Sequence, residues 1–145
     1  MRTRHLSIAA LVFGLSACVD LSTDYDTSTP AMANLVVVGF WYDNVGDSYV
    51  FSALIENQGA AIADSFSVDL YLDRSTEPRL VDQGDATERV LQGLAVGEVV
   101  EVSFTVSSSE VSPGSLTWVF ADSGGQVDEL YEDDNTAGPT EILSR

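Results

Sequence analysis

The sequence predicts an all-β protein: an antiparallel β-sandwich of about seven strands. From Asn34 onwards, apolar and polar residues alternate with a period of two in short runs, and Gly, Pro, Asn and Asp separate these runs. No stretch shows the apolar spacing of an amphipathic helix. The chain of 145 residues has room for one domain of this kind.

Each predicted strand is an alternating run that ends at a turn signal. Residues 43–47 end the first run and residues 57–59 end the second. Residues 112–114 precede the run that begins at Leu116. Residues 74–97 are more polar, with one or two short edge strands indicated near Val81 and Val90. The clearer runs predict strands at residues 35–41, 48–56, 66–73, 98–106, 116–122 and 136–143.

Alternation also predicts which side chains face the core. On the third run Phe66, Val68 and Leu70 share one face, so Tyr71 is expected on the solvent side. Trp118 is expected in the core, because such sandwiches bury large aromatic residues between their sheets. The second run sets four residues towards the core: Tyr49, Phe51, Ala53 and Ile55. The run at residues 98–106 likewise sets four residues on one face: Val100, Val102, Phe104 and Val106.

The charge balance excludes nucleic acid as a partner. The chain has six basic and 23 acidic residues, for a net charge of −17, and all six basic residues are arginines. A phosphate backbone requires clustered Lys or Arg to displace its counterions, and this surface would repel it. We interpret most of the acidic residues as solvated, with cation binding as the alternative.

The first 17 residues have the three parts of an export signal. Arg2 and Arg4 precede an apolar run at residues 6–15, and small residues follow. Ten residues form a helix of about 15 Å, too short for a hydrocarbon core of about 30 Å. Residues 1–17 are therefore predicted to be a cleaved signal peptide.

The sequence Leu15-Ser16-Ala17-Cys18 resembles the lipobox of bacterial lipoproteins. The resemblance implies lipidation of Cys18, which is also the only cysteine, so no intramolecular disulfide can form. Residues 18–33, rich in Ser, Thr and Asp, are predicted to be a tether, part of which could instead dock as an edge strand. Val19 favours the outer over the inner membrane if the cell is Gram-negative.

Removal of the signal peptide leaves a chain without histidine, lysine or an unmodified cysteine. Catalysis by Ser-His-Asp or Cys-His groups, Schiff-base chemistry and histidine-ligated zinc all lack their reactive group. A hydrolase that uses carboxylates alone is the remote enzymatic alternative, because a pair of acids can cleave glycosides. We predict that the chain is not an enzyme.

Four segments together resemble a CARDB domain, a bacterial cell-adhesion-related module. They are residues 56–59 (Glu-Asn-Gln-Gly), residues 68–73, residues 93–98 and residues 121–136. The resemblance covers residues 34–143 and implies an immunoglobulin-like fold. The chain departs from the family at Asp134, where asparagine is usual, and at Leu130-Tyr131, where small polar residues are common. The predicted sandwich domain therefore comprises residues 34–145.

The segment before the last strand holds six carboxylates within residues 122–134, which we name the acidic loop. Calcium takes six to eight oxygen ligands, although the spacing of the acids does not match an EF-hand. The alternative is that Asp122, Asp134 and Asn135 fix the loop by hydrogen bonds. The predicted cofactor is thus none or, alternatively, calcium held by Asp122, Asp128, Glu129, Glu132 and Asp134.

Exposed aromatic residues are the candidates for contact with a partner. Tyr71 lies on the face predicted to be solvated, and stacking on such rings is common at binding surfaces. The candidate partner-binding residues are Trp41, Tyr42, Tyr71 and Tyr131.

The expected function is that of a non-catalytic binding or adhesion module. Its lipid would hold it on the bacterial cell envelope, where its partner is an unknown protein or glycan. The alternative is a calcium-dependent adhesion module.

Overall fold

Seven strands form two antiparallel sheets in the computed structural model, which describes residues 30–80 and 82–144. One sheet has the order β1-β2-β5 and the other β4-β3-β6-β7. The predicted all-β sandwich is confirmed. The predicted signal peptide, Cys18 and most of the tether lie outside the described residues. The strands are β1 (Leu35–Val45), β2 (Ser48–Asn57), β3 (Phe66–Tyr71), β4 (Ala86–Val90), β5 (Val99–Ser107), β6 (Leu116–Ala121) and β7 (Thr136–Glu141).

The core lies between the two sheets, and strand alternation predicts its β2 and β5 faces correctly. Phe51 and Ile55 are fully buried, and on β5 the buried residues Val102 and Phe104 alternate with exposed ones. Burying each large apolar side chain contributes about 1.5–3 kcal/mol relative to leaving it in water. β1 is longer than predicted, because its pairing with β2 continues up to a two-residue turn at Gly46-Asp47.

The outer face of the four-stranded sheet is covered at its central strands β3 and β6, which corrects two predictions. Tyr71 is 2% exposed and does not form a solvent-facing platform. On β6 the core side chains are Val119 and Ala121, so Trp118 points to the outer face instead of the core. Both corrections have one cause: the β3–β4 loop, residues 72–85, returns across this face.

The β3–β4 loop is held down by hydrogen bonds to the sheet below it. The Trp118 indole N–H donates to the carbonyl oxygen of Arg74 at 3.0 Å, and the Tyr71 hydroxyl donates to the carbonyl oxygen of Asp82 at 3.2 Å. An ion pair joins the side chains of Arg74 and Asp82. Burial raises the pKa of Tyr71 to about 12, with Asp69 adding to the shift.

Two residues assigned to the tether are docked on the domain. The carbonyl oxygen of Met32 accepts hydrogen bonds from the backbone N–H groups of Ala60 and Ala61, and that of Ala33 accepts one from Leu130. A β-carbon at Gly59 would lie 2.4 Å from the Met32 oxygen, so this approach requires glycine. Within residues 30–80 and 82–144, no helix is long and apolar enough to cross a membrane.

Candidate functional site

The acidic loop begins at Asp122, whose side chain closes a local turn. Its two carboxylate oxygens accept the backbone N–H groups of Gln126 and Val127 at 2.8 and 2.9 Å. Asp122 is buried and has a φ of +53°, a conformation that aspartate tolerates better than most residues. Burial raises its pKa, although the two amide hydrogen bonds oppose the shift. Asp122 thus fixes the loop, as the hydrogen-bonding alternative predicted.

Glu129 is a second buried carboxylate of the acidic loop, at 5% exposed. One oxygen accepts the backbone N–H of Leu35 at the start of β1, and the other accepts the side-chain amide of Asn135. Burial raises the pKa of Glu129 to about 7, against the effect of these two donors. The carboxyl group therefore joins the middle of the acidic loop both to its exit and to the first strand.

Three asparagines complete a buried polar network around Glu129. Asn57, at the end of β2, accepts the N–H groups of Asn34 and Gly59 at 3.1 and 3.0 Å. Its own amide donates to the carbonyl oxygens of Ala61 and Leu94. Full satisfaction of a buried amide in this way fixes the relative positions of the segments that it bonds.

Asn34 connects this asparagine network to the acidic loop. Its side-chain amide donates to Asp134 at 3.1 Å and its side-chain oxygen accepts the N–H of Tyr131 at 3.1 Å. The sequence pattern does not mark Asn34 and Asn57 as structural residues. The only local signal for them is the position of each asparagine at a strand end, where Asx side chains commonly bond nearby amides.

The five predicted calcium ligands are not assembled into a site. Asp122 and Glu129 already accept backbone amides, while Asp128 and Glu132 are exposed at the surface. One oxygen of Asp134 accepts a bond from Asn34. Over residues 30–80 and 82–144, no group of three or more acidic, histidine or cysteine side chains could hold a metal ion.

The four candidate aromatic residues occupy different environments. Trp41 and Tyr131 are exposed by 37% and 57%. Tyr42 is half-buried: it packs against Tyr49 and accepts the N–H of Leu143 through its hydroxyl. With Tyr71 covered, Trp41 and Tyr131 are the candidates that a partner could reach.

A groove that the sequence analysis did not predict lies beside the acidic loop. It has a volume of about 490 Å³ and separates the β3–β4 loop from the acidic loop. Phe120 lies at its base, on the outer face of the sheet, and Leu80 and Val127 line its sides. Its size is within the range of small-ligand and peptide side-chain sites.

The arrangement of sheets, loops and buried acids defines a small β-sandwich module. Its buried carboxylates hold backbone segments together, and its accessible features include loops, edge strands and the groove beside the acidic loop. Chains of this class present binding surfaces on a rigid scaffold.

Comparisons with known proteins place the module in a family. The CARDB family model matches residues 32–138, and the chain belongs to the CARDB family. CARDB domains are non-catalytic, adhesion-type modules. No curated protein matches the chain.

Two solved structures share the fold. A domain of a putative cell surface protein from Methanosarcina acetivorans is 26% identical, with a TM-score of 0.61, and the match covers 79% of this chain and 95% of that one. The CARDB domain of a Pyrococcus furiosus protein, solved in complex with di-metal ions, is 17% identical, with a TM-score of 0.59. That match covers 81% of this chain and 100% of the other. At 17% identity the likeness to the Pyrococcus domain extends to the fold alone.

Proposed function

We propose that the chain is a lipid-anchored, non-catalytic binding module of the bacterial cell envelope. The main support for this proposal is the extent of the family match, which begins at residue 32. The predicted signal peptide, Cys18 and most of the predicted tether therefore precede the CARDB module. A module joined by a short polar segment to a lipidated cysteine is held close to a membrane without spanning it. We favour the outer membrane if the cell is Gram-negative.

The partner in this proposal is a protein or a glycan at the envelope. Trp41 and Tyr131 are exposed, and an aromatic ring can stack on sugars or on peptide side chains. β1 and β5 are the edges of one sheet and β4 and β7 those of the other, and edge strands accept added strands. The excess of acidic residues favours basic partners.

Lipidation is tested by Cys18→Ser in the full chain expressed in a bacterial host. The wild-type chain should incorporate radiolabelled palmitate and sediment with membranes, and the variant should lose both properties. Ser16→Thr provides a matched control that keeps the cysteine. Persistence of the label and of sedimentation in Cys18→Ser would contradict the proposed anchor.

The alternative function is calcium-dependent adhesion through the acidic loop. It is supported by the concentration of six carboxylates in residues 122–134 and by the di-metal ions in the Pyrococcus furiosus relative. The use of Asp122 and Glu129 as acceptors for backbone amides opposes it. We therefore rank it second.

A further inference from the structure

The groove beside the acidic loop has an apolar interior. Phe120 is nearly buried at its base, and Pro78 and Val127, both buried, line it further. Leu80 overhangs one side: it is 52% exposed and lies 3.2 Å from where a β-carbon on Gly125 would be. An exposed leucine above a buried aromatic ring offers apolar surface that a bound side chain would cover.

Both walls of the groove are fixed before anything binds. On one wall, the backbone N–H of Arg79 donates to the Asp82 side chain at 2.8 Å, and the hydroxyl of Thr136 on β7 donates to Glu77. On the other wall, Asp122 holds the turn at Gln126 and Val127. A groove that is already formed requires little ordering when a ligand enters.

The rim of the groove carries an excess of negative charge. Glu77, Asp128, Glu132 and Asp133 lie around it, opposed by Arg79 alone. Within residues 30–80 and 82–144 the single ion pair is Arg74 with Asp82, so no cation of that part of the chain pairs with the rim. An apolar base with an acidic rim complements a side chain that has an apolar stem and a cationic end.

We propose that this groove binds an arginine of a partner protein, flanked by apolar residues. The arginine stem covers Leu80 and Val127, its guanidinium lies over or beside the Phe120 ring, and Asp128 and Asp133 accept its N–H groups. The proposal rests on the proposed binding function and specifies the chemistry of the partner. It assigns the partner contact to a different surface from that of Trp41.

The test is fluorescence anisotropy with a fluorescein-labelled peptide of sequence Gly-Leu-Arg-Leu-Gly. The protein is the full chain, expressed with its own leader and purified in detergent. Saturable binding is expected, and Asp128→Asn combined with Asp133→Asn should weaken it about tenfold, since two exposed charge contacts are lost. Leu80→Ala should weaken it by a similar factor.

The matched control is Asp43→Asn combined with Glu101→Gln, which removes the same charge from exposed positions on the other sheet. It should leave the dissociation constant unchanged, and circular dichroism should show that every variant is folded. Equal affinity of the rim variant and the control would overturn the proposal. So would equal binding of a peptide with glutamine in place of arginine, or no saturable binding at all. Because palmitate labelling and sedimentation do not depend on the groove, failure of this proposal is distinguishable from failure of the anchor.

Discussion

Replacing Glu129 with glutamine should remove a pH dependence from the stability of the domain. The pKa of Glu129 is about 7 in the folded chain, against an ordinary value of 4.5, because burial disfavours its ionised form. Between these two pH values the folded chain keeps a proton that the unfolded chain has released. The free energy of unfolding therefore falls as the pH rises.

The size of this effect follows from the difference between the two pKa values. The contribution is fully present below about pH 4.5 and is lost as the pH rises through about 7. Each pH unit in that interval corresponds to about 1.4 kcal/mol, so the wild-type chain should lose about 3 kcal/mol between pH 4.5 and pH 8 from this group. The pKa of Asp122 is also raised, but its contribution is common to both proteins and cancels in the comparison.

Glutamine can keep both hydrogen bonds of Glu129 without the charge. Its carbonyl oxygen can accept the Leu35 N–H. Its amide can donate to the Asn135 Oδ1 atom once the Asn135 amide group rotates by a half-turn and exchanges its oxygen and nitrogen. The Asn135 Oδ1 atom is buried and has no hydrogen-bond partner in the described part of the chain, so it is free to accept. The variant should therefore fold and show a flatter stability profile.

Urea unfolding between pH 4.5 and pH 8, followed by tryptophan fluorescence, measures this difference. Glu101→Gln removes an exposed carboxylate and should keep the wild-type profile. If the Glu129→Gln and wild-type profiles run parallel over this interval, then Glu129 does not hold a proton in the folded chain and the reasoning is refuted.

Three further predictions concern the loops. Asn57→Ala should lower the free energy of unfolding by about 3 kcal/mol, because four backbone groups lose their buried partner, and urea titration measures the loss. Tyr71→Phe should cost about 1 kcal/mol by the same assay, since the hydroxyl that bonds the carbonyl oxygen of Asp82 is removed. Millimolar calcium at constant ionic strength, and chelator afterwards, should leave the melting temperature unchanged, because Asp122 and Glu129 are occupied by amides.

Each of these outcomes has a clear opposite. An Asn57→Ala chain as stable as the wild type would show that the asparagine network does not hold the loops. A Tyr71→Phe loss as large as that of Asn57→Ala would show that the tyrosine hydroxyl contributes far more than its bond to the Asp82 carbonyl. A melting temperature that rises by several degrees with calcium and returns with chelator would restore the calcium-dependent function.

The fold class and much of the core follow from local patterns in the sequence. Period-two alternation identifies the buried faces of β2 and β5 because each side-chain direction depends only on its neighbours along the strand. Turn residues such as Gly46 mark strand ends for an equally local reason, the backbone angles that they permit. The family could also be identified from short motifs at such turns.

The tertiary structure alone decided which outer faces are covered and which acids are buried. Tyr71 and Trp118 both lie on the outer face of their sheet, and they are covered there because the β3–β4 loop folds back over that face. Glu129 is buried because it bonds the amide of Leu35, 94 residues earlier in the chain. The groove likewise lies between the β3–β4 loop and the acidic loop, and no local sequence pattern predicts that these two loops are neighbours. These features depend on contacts between segments far apart in sequence, whereas periodicity reports only how neighbouring residues are oriented.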